Sequence, residues 1–308
     1  MYLFNFFKST YELKVGHSIS NKSKDNAILD EPVAHRILVC ASSNQAVDDL
    51  AWKLHNEALG PNGMVGSFNI VRFGMQPGEE RHDGRGKRRG KVSTGCLSPQ
   101  DKFLRSISLD NLVENVTKGY AKNEFGSNND SLSTINNYNT ERANILSQCH
   151  VVCCTLSGSG SKAFTQSVSR DEFPQSEFEA LIIDEACQAQ EALSLIPFKY
   201  NPNCIFLVGD PQQLPVFTLS KNAQSSRVDR SLFERLTENG WPINLLRVQY
   251  RMNDEIAQFP IKQFYNGQLF TGMNMANFGN LNIFCALLIY GFTLFLFLKS
   301  KRPVLLSY

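Results

Sequence analysis

Strong charge of either sign is missing from this chain. The 31 Lys and Arg stand against 29 Asp and Glu, a formal net charge of +2. Overall charge therefore names no partner, and only local charge carries information. A disulfide scaffold is missing too, since eight cysteines in 308 residues are too sparse for one. Cys40, Cys153, Cys154 and Cys204 lie in apolar runs and read as small buried hydrophobes in a reducing compartment. Cys149, Cys153 and Cys154 are close in sequence, but no CxxC or paired histidine accompanies them, which argues against zinc. Tyr2–Phe7 is apolar but short and has no basic residue before it, so no secretory signal is expected. The phosphate-loop pattern G-x-x-x-x-G-K-[ST] is also absent. Gly86-Lys87 and Gly90-Lys91 lack both the earlier glycine and the following Ser or Thr. The apolar fraction, 42%, is ordinary and allows a sizeable core in one large domain or two modest ones.

What is present centres on Phe178–Cys187. Leu181, Ile182 and Ile183 do not alternate with polar residues, which predicts a strand buried on both faces in a parallel sheet. The run ends in Asp184 and Glu185. Parallel sheets carry their chemistry at the carboxyl ends of strands. Two adjacent carboxylates there suit Mg²⁺ on Asp184, through its waters, and an attacking water on Glu185. A strand that simply ends in a polar turn gives the same local pattern.

Other segments repeat the rhythm. Arg36–Ala41 is a second buried strand, and Ser42-Ser43-Asn44 starts a helix with Val47, Leu50 and Leu54 at helical spacing. Asp48 and Asp49 favour its first turn. Such a turn is either an ordinary N-cap or a holder of phosphate or sugar oxygens. Phe68–Phe73, His150–Thr155 and Asn203–Asp210 are further strands. A small-residue loop, Leu156–Ser161, follows the second of these and could approach a ligand closely. The alternation predicts an α/β doubly wound domain. Between Gly74 and His150 the rhythm fails. Arg81–Lys91 is basic and glycine-rich, and reads as phosphate contact, a nuclear import signal or a plain solvated loop. Leu104, Ile107, Leu112, Val113 and Val116 suggest a helical piece, and Gly126–Thr140 is expected to be disordered. Later come a helix at Ser231–Leu236, a strand at Ile243–Leu246, and Val248–Met252 leading into a helix. Leu281–Leu298 is almost wholly apolar, with Lys299, Lys301 and Arg302 behind it. It is either a membrane span at the lower length limit or a tail foreign to the domain.

Five blocks in order resemble superfamily 1 helicases of the Upf/senataxin-like group, which unwind RNA or DNA. Val39–Asp48 looks like motif Ia, Val152–Gly160 like motif Ic, and Asp184–Cys187 like motif II, the Walker B element. Val208–Pro215 resembles motif III and Val248–Met252 resembles motif IV. The resemblance implies an α/β, RecA-like P-loop NTPase parallel sheet with an inserted region and a truncated second RecA-like domain. Its expected boundaries are 1–35 as an amino-terminal remnant, 36–240 as the first RecA-like domain with an insertion at about 74–149, 241–277 as the start of the second, and 278–308 as an apolar tail.

The roles it implies are those of an ATP-dependent helicase using ATP and Mg²⁺ on single-stranded RNA or DNA, in nucleus or cytoplasm, with no obligate oligomer. Asp184 would bind Mg²⁺ and Glu185 would activate water. Gln213, in preference to Gln212, would sense the γ-phosphate. Asp210 would belong to the nucleotide site, Tyr250 would stack on adenine, and Arg251 would act as an arginine finger. Ser43, Asn44 and Thr155 would touch the strand, joined by Arg85, Lys87, Arg88 and Arg89 of the basic run. The family pattern places a P-loop before motif Ia and motifs V and VI after motif IV. The expectation is therefore a chain that starts just past the P-loop and turns over little ATP alone. The two other readings are a non-catalytic nucleic-acid-binding module and a membrane-anchored NTPase-like protein.

Overall fold

The computed structural model describes residues 36–58, 63–74, 98–123, 131–168, 178–272, 295–299 and 302–307. The first 35 residues and the basic run with Arg85, Lys87, Arg88 and Arg89 lie outside these. The chain forms two compact units, Met1–Val39 with Ser43–Glu177, and Cys40–Ser42 with Phe178–Tyr308. The first strand, β1 (Ile37–Ala41), is divided between them.

In the first unit, the N–H of Ile37 donates to His150 O at 2.9 Å. Helix α1 (Asn44–Glu57) starts because the Ser43 hydroxyl oxygen accepts the Ala46 N–H at 3.2 Å. It buries Val47, Ala51 and Leu54, one face at helical spacing. Asp48 and Asp49 lie beyond its first turn, contrary to the expectation of a dipole role, because the helix begins at Asn44. Strand β2 (Ile70–Arg72) is wholly buried. Helix α2 (Pro99–Ser106) opens on a capping box between Ser98 and Asp101, with Pro99 in its first turn. Helices α3 (Leu109–Asn123) and α4 (Ser131–Gln148) follow. Strand β3 (Val151–Thr155) runs parallel to β2, with Ile70 opposite Val151 and Arg72 opposite Cys153.

Two expectations are corrected here. The Asn/Ser-rich segment expected to be disordered is helical from Ser131 onward. Tertiary packing overrides its weak local propensity: Ala143 and Leu146 are buried, and Arg142 pairs with Asp110 of α3. The small-residue stretch after β3 is not a loop but a helical turn, α5 (Leu156–Ser159). Thr155 caps it by accepting the Gly158 N–H at 3.0 Å. Helix α6 (Lys162–Val168) follows.

In the second unit, β4 (Ala180–Ile183) is buried along its whole length, as its unbroken apolar run requires. The Asp184 N–H donates to Cys40 O at 2.8 Å, continuing the pairing with the end of β1. Helix α7 (Glu191–Leu195) and a 3₁₀ turn lead into β5 (Cys204–Val208), parallel to β4 with Ile183 opposite Leu207. Short helices α8 (Lys221–Ser225) and α9 (Leu232–Glu238) come next. Then follow β6 (Ile243–Leu245), β7 (Val248–Gln249), α10 (Asp254–Phe264) and β8 (Phe270–Thr271), the last parallel to β7.

Of the apolar stretch, residues 281–294 lie outside the described residues. Phe295–Leu298 begin β9 (Phe295–Lys299), antiparallel to β5 with Val208 opposite Phe295. β10 (Arg302–Ser307) pairs with β9 and β6. Among the described residues no helix is long and apolar enough to cross a membrane. Parallel strands with intervening helices in both units make this an α/β fold of the RecA-like class, as expected.

Candidate functional site

The buried strand β4 delivers Asp184 and Glu185 to its carboxyl end, where both are partly exposed. Glu185 has φ 52°, in the left-handed region that non-glycine residues enter at a cost of about 1 to 2 kcal/mol. The turn is held by its own bonds. Gln188 donates its N–H to Glu185 O at 3.0 Å and its Nε2 to Glu185 Oε2 at 3.1 Å. The Ala186 N–H donates to Val208 O at 2.7 Å, which ties the acidic turn to the end of β5. Gly209 makes that closeness possible. A Cβ there would lie 2.8 Å from Cys187 Sγ and 2.9 Å from Cys187 N. Burial pushes the Cys187 thiol well above its ordinary range, and the nearby Asp210 and Glu185 carboxylates add to it.

Asp210 follows Gly209 and is 1% exposed. Its Oδ1 accepts the Gln212 N–H at 2.9 Å, and its Oδ2 accepts Gln213 Nε2 at 2.8 Å and Tyr265 Oη at 2.5 Å. Burial raises its pKa, opposed by the Tyr265 and Gln212 hydrogen bonds. The Tyr265 phenol is driven upward by burial and by that same carboxylate. The Gln213 loop is thus tied to Tyr265, the residue that closes α10.

Tyr250 and Arg251 sit on the turn between β7 and α10, both exposed. One buried amide builds this turn. Gln249 Oε1 accepts the N–H groups of Arg251 at 2.9 Å and Met252 at 2.8 Å, while Nε2 donates to Met252 O at 2.7 Å and Thr271 Oγ1 at 2.9 Å. Gly272 lies under the Tyr250 ring, where a Cβ would come within 2.4 Å of Cδ1 and Cε1.

Ser43, Asn44 and Thr155 belong to the first unit. Ser43 and Thr155 each spend an oxygen as a helix cap. Asn44 Oδ1 accepts Arg72 Nη2 at 3.0 Å. Among the described residues Arg72 is the largest fully buried side chain, and its Nε also meets Asp48 Oδ1 at 2.8 Å. Burial raises the Asp48 pKa in spite of the guanidinium, which pulls the other way.

The structure thus joins the acidic turn, Gly209–Gln213 and Tyr265, and it seats Tyr250 and Arg251 on the Gln249 turn. Sequence reasoning assigned nothing to Gln249, Tyr265 or Arg72. An arginine inside the apolar run Phe68–Phe73 was a signal, since a buried cation demands partners. Tyr265 gave none, because Asp210 lies 55 residues earlier.

The fold defines the class first, a RecA-like α/β chain. Comparison with known proteins narrows it. Residues 91–221 and residues 228–294 each match a family described as an AAA domain. Over 243 residues the chain is 36% identical to "Probable helicase MAGATAMA 3" of Arabidopsis thaliana, covering 78% of this chain and 25% of that protein. It is 33% identical to "ATP-dependent helicase NAM7" of Saccharomyces cerevisiae over 248 residues, 78% of this chain and 22% of that one. It is 30% identical to human "Probable helicase senataxin" over 307 residues, 85% of this chain and 11% of that one. The chain spans a quarter or less of the length of these relatives. It belongs to the superfamily 1 helicases of the Upf/senataxin-like group, a family of ATP-dependent helicases.

Proposed function

We propose that this chain is part of an ATP-dependent RNA or DNA helicase, in which nucleic-acid-stimulated ATP hydrolysis drives movement along a strand. One observation carries the reading: the carboxyl ends of β4 and β5 are locked together, so that Glu185 and Gln213 stand on adjoining turns. Hydrolysis of a phosphoanhydride needs an oriented water and preorganised charge. The donor set suits Mg²⁺, which takes one or two hard carboxylates and fills its shell with water and phosphate oxygens. Asp184 would hold the ion, which when bound neutralises charge on the phosphate oxygens.

Glu185 orients the attacking water and takes its proton. Gln213 keeps one Nε2 hydrogen and its Oε1 for the γ-phosphate and water, because its other donor is spent on Asp210. Asp210 is buried and holds Gln213 Nε2, so it serves the nucleotide site by positioning Gln213. Tyr250 stacks on adenine, and Arg251 neutralises charge that develops on the γ-phosphate. Ser43, Asn44 and Thr155 contact the strand, with Arg85, Lys87, Arg88 and Arg89 adding phosphate contacts or a nuclear import signal. We place the first RecA-like domain at 36–240 and the start of the second at 241–277.

The 308 residues hold no phosphate-binding glycine loop, so turnover by this chain alone should be slow. The same feature favours the second reading, a binding module without catalysis. ATP hydrolysis measured with and without RNA separates them. The first reading expects slow, RNA-stimulated turnover that Glu185→Gln removes. Salt-sensitive strand binding with no hydrolysis would favour the second.

A further inference from the structure

We propose that Arg72 is a positioning residue that decides which end of the Asn44 amide faces a nucleic-acid strand; this rests on the strand-contact role proposed above. A guanidinium has five N–H donors and no acceptor. The Asn44 atom that meets Arg72 Nη2 at 3.0 Å is therefore its carbonyl oxygen. That fixes the NH₂ group on the other side, with two donors to offer. The Ser43 oxygen already accepts the Ala46 N–H, which leaves its hydroxyl hydrogen and one lone pair, and toward an acceptor it offers the hydrogen. The turn is thereby presented as donors, and phosphate and sugar oxygens are acceptors.

The support beneath Asn44 is rigid. Arg72 is 1% exposed, sits in β2 opposite Cys153 and reaches Asp48 Oδ1 with Nε and Phe73 O with Nη1. Gly74, at φ +109°, leaves room for that arm, since a Cβ there would lie 3.1 Å from Arg72 Nη1. Asp48 balances the arginine charge within the core. Arg72 therefore works by orientation, not by attracting phosphate at a distance. An arginine is needed because only a fork can hold three acceptors on separate nitrogens at once.

The test uses the full chain, a fluorescein-labelled oligouridylate, anisotropy at low salt, and thermal melting. Asn44→Asp keeps an oxygen for Arg72 but loses both outward donors. It should weaken strand affinity about ten-fold or more, with the melting midpoint unchanged or raised. Arg72→Lys keeps a charge for Asp48 and drops the arm to Asn44. It should weaken the strand several-fold and abolish the strand-induced shift of the Asn44 side-chain amide resonance seen by NMR in the unsubstituted chain. If Arg72→Lys does not fold, Asn44→Asp and the resonance shift still decide. Asn44→Asp binding as tightly as the unsubstituted chain, an Asn44 amide resonance unmoved by the strand, or a folded Arg72→Lys that keeps both the affinity and the resonance shift of the unsubstituted chain, overturns the inference alone. Failure of the unsubstituted chain to bind the oligonucleotide overturns the strand-contact reading and this inference with it.

Discussion

One buried amide, that of Gln249, makes four hydrogen bonds and leaves none of its capacity to water. Its worth lies less in the bonds than in what their loss would strand. Gln249→Leu would leave two N–H groups, a carbonyl and a hydroxyl without their partner around a turn that is otherwise short and exposed. It should cost about 2 to 3 kcal/mol in urea denaturation, because orphaned buried polar groups pay their full desolvation. A loss under about 0.5 kcal/mol would mean that water replaces the amide, and that the turn bearing Tyr250 and Arg251 is not built by Gln249. At this scale the sequence was only half legible. The block Val248–Met252 singles out Tyr250 and Arg251 as candidates, while nothing in it marks Gln249 as the residue that builds the turn. Three of its four hydrogen bonds reach only Arg251 and Met252, two and three residues on, and the fourth reaches Thr271, a neighbour in space and not along the chain.

Strands were the most legible elements, because double-sided burial writes an unbroken apolar run into the sequence. β1, β3, β4 and β5 were each readable in that way. Helix α4 was not, because it is specified by the α3 surface it packs on rather than by its own Asn- and Ser-rich composition. The junction of β2 and β3 carries a pH-sensitive contact that no sequence pattern announces. His150 Nδ1 accepts the Asn69 N–H at 3.1 Å, and His150 donates its own N–H to Asn69 O at 2.9 Å. Burial lowers the His150 pKa below its ordinary 6.5. The folded state therefore favours neutral imidazole, and the unfolded chain binds more protons just below pH 6.5. The His150 contribution is complete above pH 6.5 and is lost as pH falls toward the lower folded value. The melting midpoint should drop by a few degrees between pH 7 and pH 5.5, and His150→Gln should flatten that part of the profile. An unchanged slope in His150→Gln would assign the effect to other groups.

For the molecule as a whole, two strand ends are held together in a way that suits one chemical task. Gly209 lets the β5 loop lie against the acidic turn, and Asp210 ties that loop to Tyr265 at the close of α10. A loop held in this way could report the state of a γ-phosphate to the α10 segment, a small local change passed to a packed element. The order of the motifs makes the family readable from the sequence alone. The bonds that would couple them were not readable, since each joins residues far apart in the chain. The most direct measurement is Mg²⁺-dependent binding of a fluorescent ATP analogue to the full chain. The account predicts weak binding that requires Mg²⁺, falls in Asp184→Asn, and falls again in Tyr250→Ala. Binding indifferent to Mg²⁺ and to both substitutions, or no binding at all, would contradict a nucleotide site at the ends of β4 and β5.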